Sequence, residues 1–269
     1  MAMPVTLDQI VTVTRMRLAE RQRAADLRLV EQQAAAHSPR GFRQSLEQRS
    51  KSGPAIIAEL KKASPSKGVL RASLHVGAIA RNFMKPGAAA LSVLTEEEFF
   101  LGSLSDLREA SASCDLPCLC KDFIVDEFQL LEARANSADA VLLLASVLAD
   151  ADLQRLHRRA RELQLDVLCE AHDESELERA LAIGCDLIGV NNRDLRTFKV
   201  DLRTALRLVG KIPKEILKVA ESGIESGGDI RHLRAAGYQA FLIGESFMKA
   251  DDPGEALRRM LTEAATAGK

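Results

Sequence analysis

Tryptophan is absent from this 269-residue chain, and tyrosine occurs once. A core rich in large aromatics is therefore excluded, and the interior must be mostly aliphatic, drawn from an apolar content of 46 %. An excess of charge is missing as well: 37 Lys and Arg face 38 Asp and Glu, a formal net charge of −1. Nucleic-acid binders usually carry a clearly basic face, so that class is disfavoured. An anionic ligand must then be held by locally placed cations and backbone donors, not by the field of the whole molecule. No apolar run approaches the roughly 20 residues that span a bilayer. The opening MAMPVTLDQIVTVTR carries acidic Asp8 and no apolar stretch of signal-peptide length. The expectation is a cytoplasmic protein with no membrane partner. Cys114, Cys118, Cys120, Cys169 and Cys185 are odd in number and form no C-x-x-C pair. Reduced thiols are expected, without a disulfide framework or a structural zinc site.

What is present is an alternation. From about Ala55, short apolar runs recur: Ala55–Leu60, Ala88–Leu94, Pro117–Lys121, Asp139–Ala145, Asp166–Glu170, Asp186–Val190, Leu217–Glu221 and Ala240–Gly244. Several are nearly unbroken hydrophobic strings, as parallel strands covered on both faces require. Amphipathic segments separate them, with Gly87, Gly184, Gly210 and Gly237 closing helical patterns and Asp252-Pro253 opening the last. Eight strand–helix units in the stretch 51–269 predict a single (β/α)8 barrel. A doubly wound open sheet competes, but its glycine-rich turn after the first strand is missing. Residues 1–50 read as an N-terminal helical extension. Thr6 and Gln9 form a capping box, and one long amphipathic helix is expected to about Ala36. A polar segment, HSPRGFRQSLEQRSKSGP, then leads to the barrel. The extension is either a solvated or oligomerisation arm or a helix packed over one mouth of the barrel as part of a lid.

In such barrels the reactive side chains stand at the C-terminal strand ends. The first strand ends in Glu59-Leu60-Lys61, and alternation puts Glu59 and Lys61 on one face. Lys121 ends the third strand, Glu170 the fifth and Glu221 the seventh, while Asn191 and Arg193 share a face after the sixth. One such charge is decoration; five strands contributing to one rim are the makings of an acid–base site, each group worth ~10²–10⁴-fold. The small residues of Glu221-Ser222-Gly223 and Gly244-Glu245-Ser246 allow backbone N–H groups to approach a phosphate, at the usual seat after strands seven and eight. His172 is expected to face solvent or cap a helix. Glu96-Glu97-Glu98 is expected to be a solvated loop, and Cys169 to pack on the face opposite Glu170.

Read in order, the segments IIAELKKASPSKG (56–68), LSVLTEEEFFLGSLSDL (91–107) and KDFIVDEFQLLEARANSADAVLLL (121–144) resemble the indole-3-glycerol-phosphate synthase family. So do LCEAHDESELERAL (168–181), IGVNNRDLRTFKVDL (188–202), VAESGI (219–224) and FLIGESFM (241–248). The resemblance covers almost the whole chain. It implies a carbon–carbon lyase (a carboxy-lyase) of tryptophan biosynthesis, acting on 1-(2-carboxyphenylamino)-1-deoxyribulose 5-phosphate. The products are indole-3-glycerol phosphate, carbon dioxide and water. Carried over position by position, it implies catalytic roles for Glu59, Lys61, Lys121, Glu170, Asn191, Glu221 and Ser222. On the phosphate side it implies Ser64, Gly223, Gly244, Glu245 and Ser246, with Arg193 near the mouth and Phe123 against the substrate ring. It implies no metal, no organic cofactor and no partner beyond the phosphorylated substrate, in a monomer or weak homo-oligomer. Its rivals are a phosphoribosyl isomerase barrel, which would lack the joint E-x-K and K-D-F, and a binding protein that had lost a catalytic Lys or Glu.

Overall fold

Thr6 opens helix α1 (Leu7–Ala24): its hydroxyl accepts from the Gln9 N–H, and the Gln9 side chain accepts from the Thr6 N–H. The computed structural model describes residues 5–195 and 197–266, and in it the single long helix expected to Ala36 is two. Ala25 is extended, and the Asp26 carboxylate caps a second helix, α2 (Leu27–Ala36), by accepting from the Arg28 and Leu29 N–H groups. A short acidic side chain competes for backbone donors and so starts a helix more readily than it continues one. The polar segment that follows hides a further helix, α3 (Phe42–Ser50). Its Phe42 and Leu46, one turn apart, are fully buried.

Eight barrel strands follow: β1 (Ala55–Leu60), β2 (Ala90–Leu94), β3 (Cys118–Lys121), β4 (Ala140–Leu144), β5 (Asp166–Ala171), β6 (Leu187–Asn191), β7 (Leu217–Glu221) and β8 (Ala240–Ile243), with a small antiparallel pair, Ala63–Ser64 and Gly68–Val69, in the loop after β1. Each pairs in parallel with its neighbours, and β8 returns to β1 through Ala55↔Ala240 and Ile56↔Phe241, closing the barrel. Helices α4 (Val76–Met84), α5 (Leu104–Ser113), α6 (Glu127–Ala135), α7 (Asp150–Glu162), α8 (Glu174–Ala182), α9 (Arg203–Leu208) and α10 (Gly227–Ala236) connect them in turn. A short α11 (Glu245–Met248) and α12 (Pro253–Ala265), capped by Asp252, complete the described chain. This is the (β/α)8 barrel that the alternating runs predict.

Side-chain alternation sorts the strands into two cores. Ile56, Ala58, Leu60, Leu91, Val141 and Ile188 face the helices, together with Phe83 and Phe247. Ala55, Ile57, Leu119, Leu142, Leu168, Leu187, Val219 and Leu242 fill the barrel, and Phe42 and Leu46 of α3 join this inner cluster. Helix α3 thus packs on the barrel interior from the end at which the strands begin. Beside it, the fully buried Asp139 carboxylate binds the Arg40 guanidinium, His37 Nε2 at 3.1 Å and the Cys118 N–H at 2.6 Å. The loop between α2 and α3 is held there by charge as well as by packing.

The other end of the extension reaches the opposite rim. Arg17 pairs with Glu97 and Glu98, Arg21 with Glu132, and the Gln22 amide donates to Asp126. Glu96 departs from the expected solvated loop: it is buried and accepts from the N–H groups of Glu98, Phe99 and Phe100, shaping the turn after β2. The cysteines require a larger correction. Cys169 on the outer face of β5 and Cys185 just before β6 form a disulfide, with Cα atoms 6.6 Å apart. One strand–helix unit returns the chain alongside itself, so two thiols 16 residues apart become neighbours without any motif spacing. Cys114, Cys118 and Cys120 are free, and burial raises their thiol pKa values, Cys118 to about 12. Among the described residues no helix is long and apolar enough to cross a membrane.

Candidate active site

The inward series on each strand runs from apolar to charged as it nears the C-terminal end. Ile57 leads to Glu59 and Lys61, Leu119 to Lys121, Leu168 to Glu170, Leu187 to Gly189 and Asn191, and Val219 to Glu221. Period-two alternation therefore carries the same face that fills the barrel out to its mouth. There it lines a cavity of about 790 Å³. Of the fourteen residues assigned to the site by resemblance, all but Glu221 line this cavity. Glu221 lies just behind Lys121, fully buried.

Lys121 is the hub. Its Nζ lies 3.1 Å from Glu221 Oε2, 3.4 Å from Glu59 Oε2 and 3.9 Å from Glu170 Oε2. Burial opposes its charge, but attraction to these three carboxylates outweighs burial and raises its pKa. Lys61 Nζ donates to Glu59 Oε1 at 2.5 Å. Burial alone would hold Glu59 neutral, yet Lys61 and Lys121 lower its pKa below the usual carboxylate range. The Asn191 amide donates to Glu170 Oε1 at 3.0 Å, and Asn191 Oδ1 accepts from the Arg193 N–H. Glu170 and Glu221 part company. Burial raises both; contacts with His172, Lys121 and Asn191 reverse this for Glu170, whereas the nearby charge of Glu170 adds to it for Glu221. Two carboxylates with opposed shifts are the usual sign of divided acid and base duties.

Two glycines make room for these carboxylates. A Cβ on Gly189 would stand 2.1 Å from Glu221 Oε1, and one on Gly244 would stand 2.4 Å from Glu59 Oε1. The missing side chain at Gly244 thus makes room for Glu59, a reason the sequence did not suggest. At the other end of the cavity, Ser222 and Gly223 both have positive φ, 62° and 76°, and form the turn after β7. Glu245 accepts from Arg193 at 3.2 Å and from Lys249 at 2.6 Å, with Lys67 at 3.8 Å. These cations lower its pKa against a burial effect that raises it. Lys67 and Lys249 line the cavity too, so three cations gather where the sequence points only to backbone donors and Arg193. The Ser246 hydroxyl donates to the Ile224 carbonyl, which occupies its proton. Phe123 and Phe100 form an aromatic wall, their ring centroids 6.1 Å apart.

Sequence reading missed His172, which neither faces solvent nor caps a helix. Its Nε2 is 3.2 Å from Glu170 Oε1 and its Nδ1 3.0 Å from Glu176 Oε2. The spacing of His172 and Glu176 carried the only available signal. Among the described residues no group of three or more His, Cys, Asp or Glu is arranged to hold a metal ion.

The comparisons with known proteins agree with this geometry. The family model described as indole-3-glycerol phosphate synthase matches residues 7–260. The indole-3-glycerol phosphate synthase of Koribacter versatilis is 53 % identical over 259 residues, covering 96 % of this chain and all of the relative. That of Burkholderia multivorans is 49 % identical, covering 94 % of this chain and 98 % of the relative. Among solved structures, a 3-hexulose-6-phosphate synthase superposes with a TM-score of 0.63 at 15 % identity, covering 78 % of this chain and 99 % of that one. A thiamine phosphate pyrophosphorylase from Pyrococcus furiosus superposes at 0.57 and 17 %, covering 79 % and 95 %. Those two likenesses speak for the barrel alone. With the full-length relatives, the conclusion is direct: this chain belongs to the indole-3-glycerol phosphate synthase family.

Proposed function

We propose that this chain converts 1-(2-carboxyphenylamino)-1-deoxyribulose 5-phosphate into indole-3-glycerol phosphate, carbon dioxide and water. The observation that carries the reading is the pairing, inside one cavity, of two lysines with three buried carboxylates at one end and a cluster of cations at the other. The substrate carries a carboxylate and a phosphate at opposite ends, and the cavity matches that polarity. Lys61 takes the anthranilate carboxylate and draws the ring carbon that bears it towards the sugar carbonyl. Phe123 and Phe100 flank the ring. Holding two reacting carbons in near-attack geometry supplies several kcal/mol, out of an upper range of ~7–11.

As the new carbon–carbon bond forms, the carbonyl oxygen becomes an alkoxide. Lys121 enters the reaction protonated, and an alkoxide is basic enough to take that proton. Loss of carbon dioxide then returns its bonding electrons to the ring system and restores aromaticity. The hydroxyl formed from the carbonyl leaves as water while a proton is withdrawn, a step suited to ionised Glu170, with neutral Glu221 and Lys121 nearby as donors. Glu59 holds both lysines in place, and Asn191 orients Glu170. The phosphate is received between the Ser222-Gly223 and Gly244-Glu245-Ser246 turns, with Ser64, Arg193, Lys67 and Lys249 at its edges. The test is direct. Purified protein mixed with the anthranilate substrate should produce indole-type fluorescence and release one carbon dioxide per turnover. Absence of both from folded protein would remove the reading.

A further inference from the structure

His172 is the buried titratable group that the chemistry above leaves unused. It stands two residues beyond Glu170, at the end of β5, with its side chain only 13 % exposed. From α8, Glu176 Oε2 accepts from the His172 backbone N–H at 2.7 Å and lies 3.0 Å from its Nδ1. On the other side, Nε2 lies 3.2 Å from Glu170 Oε1, an ion-pair distance without hydrogen-bond alignment. A neutral imidazole has one N–H and one lone pair, so between two carboxylates one of its nitrogens must turn a lone pair towards a negative oxygen; an imidazolium is hydrogen-bonded to Glu176 and ion-paired with Glu170. The two carboxylates outweigh the burial that disfavours its charge, and its pKa is pushed up to about 10.

We propose that His172 is a positioning residue: a buried imidazolium, clamped by Glu176, that keeps the negative charge on Glu170 and leaves the proton of the neighbouring carboxylate pair on Glu221. The inference rests on the reading of Glu170 as the proton-withdrawing group. Glu170 is faced by Lys121 from β3, Asn191 from β6, Glu221 from β7 and His172 from just past the end of β5, with Glu176 behind. Of these, Lys121 is shared among three carboxylates, whereas His172 serves Glu170 and Glu176 alone. Glu221 contributes an independent observation. Its Oε1 is buried without any hydrogen-bond partner, pressed towards the bare Cα of Gly189. An ionised carboxylate with an orphaned buried oxygen is costly, and a neutral carboxylic acid in that slot costs less. Like charges sharing a site divide one proton unequally, and the added cation decides which member goes without.

Histidine side-chain NMR on the free enzyme tests the charge. Of the five histidines, the signal lost in His172→Gln should show an imidazolium that does not titrate between pH 6 and 9. A midpoint near the ordinary histidine value overturns the proposal. Kinetics test the consequence. His172→Gln should lower kcat by about 10- to 100-fold with KM within threefold, and an acid limb should appear above pH 5 where wild type shows none. A loss of kcat with an unmoved pH profile also overturns it, because a purely structural role predicts that result. Glu176→Gln, which touches neither cavity nor substrate, should produce a smaller shift in the same direction and serves if the histidine variant folds poorly. Glu170→Gln separates the two readings: retained turnover would refute the role of Glu170 while leaving the NMR result standing.

Discussion

Replacing Gly244 by alanine asks whether the position of Glu59 governs turnover. The added Cβ would lie 2.4 Å from Glu59 Oε1, 2.9 Å from its Cβ and 3.0 Å from its Cδ, whereas ordinary contact begins at 3.4 Å. Glu59 must therefore retreat by about 0.5 Å at Cβ and about 1 Å at its carboxyl group. Rotation about the side chain cannot relieve the Cβ contact, because that atom is fixed to β1, whose residue Ala58 is in register with Ile243. A displacement of this size stretches the 2.5 Å contact with Lys61 by up to about 1 Å and takes the 3.4 Å contact with Lys121 out of ion-pair reach. Misplacement by about 1 Å costs on the order of 10²-fold in rate. Overpacking costs typically ~1–3 kcal/mol of stability. Steady-state fluorescence assays should thus show kcat reduced about a hundredfold in a protein that remains folded, with thermal unfolding shifted down by several degrees. Inhibition by inorganic phosphate should be unchanged, since the new methyl group faces Glu59. A kcat within threefold of wild type would refute the argument. Weakened phosphate inhibition with intact kcat would refute it differently, by showing that Gly244 faces the anion.

Lys121→Met should lower kcat by ~10³-fold or more while KM stays within tenfold, because its proton is needed only as the alkoxide develops; rapid-quench kinetics would detect any surviving ring closure. Lys61→Ala should raise KM strongly and also lower kcat, and an analogue lacking the ring carboxylate should bind wild type and variant equally. Asp139→Ala strands Arg40 and the Cys118 N–H beneath the barrel and should cost about 3–5 kcal/mol in urea unfolding. His172, whose folded-state pKa of about 10 lies above its unfolded value near 6.5, binds a proton that the unfolded chain releases. Its contribution is fully present below about pH 6.5 and is lost as pH rises towards 10, on the order of a few kcal/mol. Calorimetry should show wild-type Tm falling across that window and a flatter profile for His172→Gln.

The barrel was legible because each strand is a dense apolar run and each helix carries its own punctuation. The converging charges were legible for a related reason: alternation continues past the last apolar residue, so Glu59 and Lys121 inherit the inward direction of Ile57 and Leu119. What escaped was tertiary. Phe42 and Leu46 are two apolar residues in an otherwise polar segment, too few for a periodicity argument, and only the barrel above them makes their burial possible. The break before Asp26 rests on one capping side chain in a stretch of helix-forming composition on both sides. Gly189 reads as one more small residue in a buried strand until Glu221 is placed against it. The Cys169–Cys185 bond depends on how a strand–helix unit folds back, which no local spacing encodes, and the four-residue spacing of His172 and Glu176 shows only one side of the clamp.

The seam between β8 and β1 has a consequence for how the chain is made. β1 leaves the ribosome with an apolar edge, and β2 covers only one side of it. The partner for the other side is synthesised roughly 180 residues later, a delay of some ten to forty seconds at ~5–20 residues per second. Throughout that interval AIIAEL is an open template for any passing strand, the circumstance in which sheets join the wrong neighbour. Helix α3, translated just before β1, shares the inner core with residues from every strand, so the core that Phe42 and Leu46 join is filled only when the last strand arrives. Nascent molecules of this enzyme therefore spend most of their synthesis unsealed, and their vulnerability to aggregation ends with the last strand.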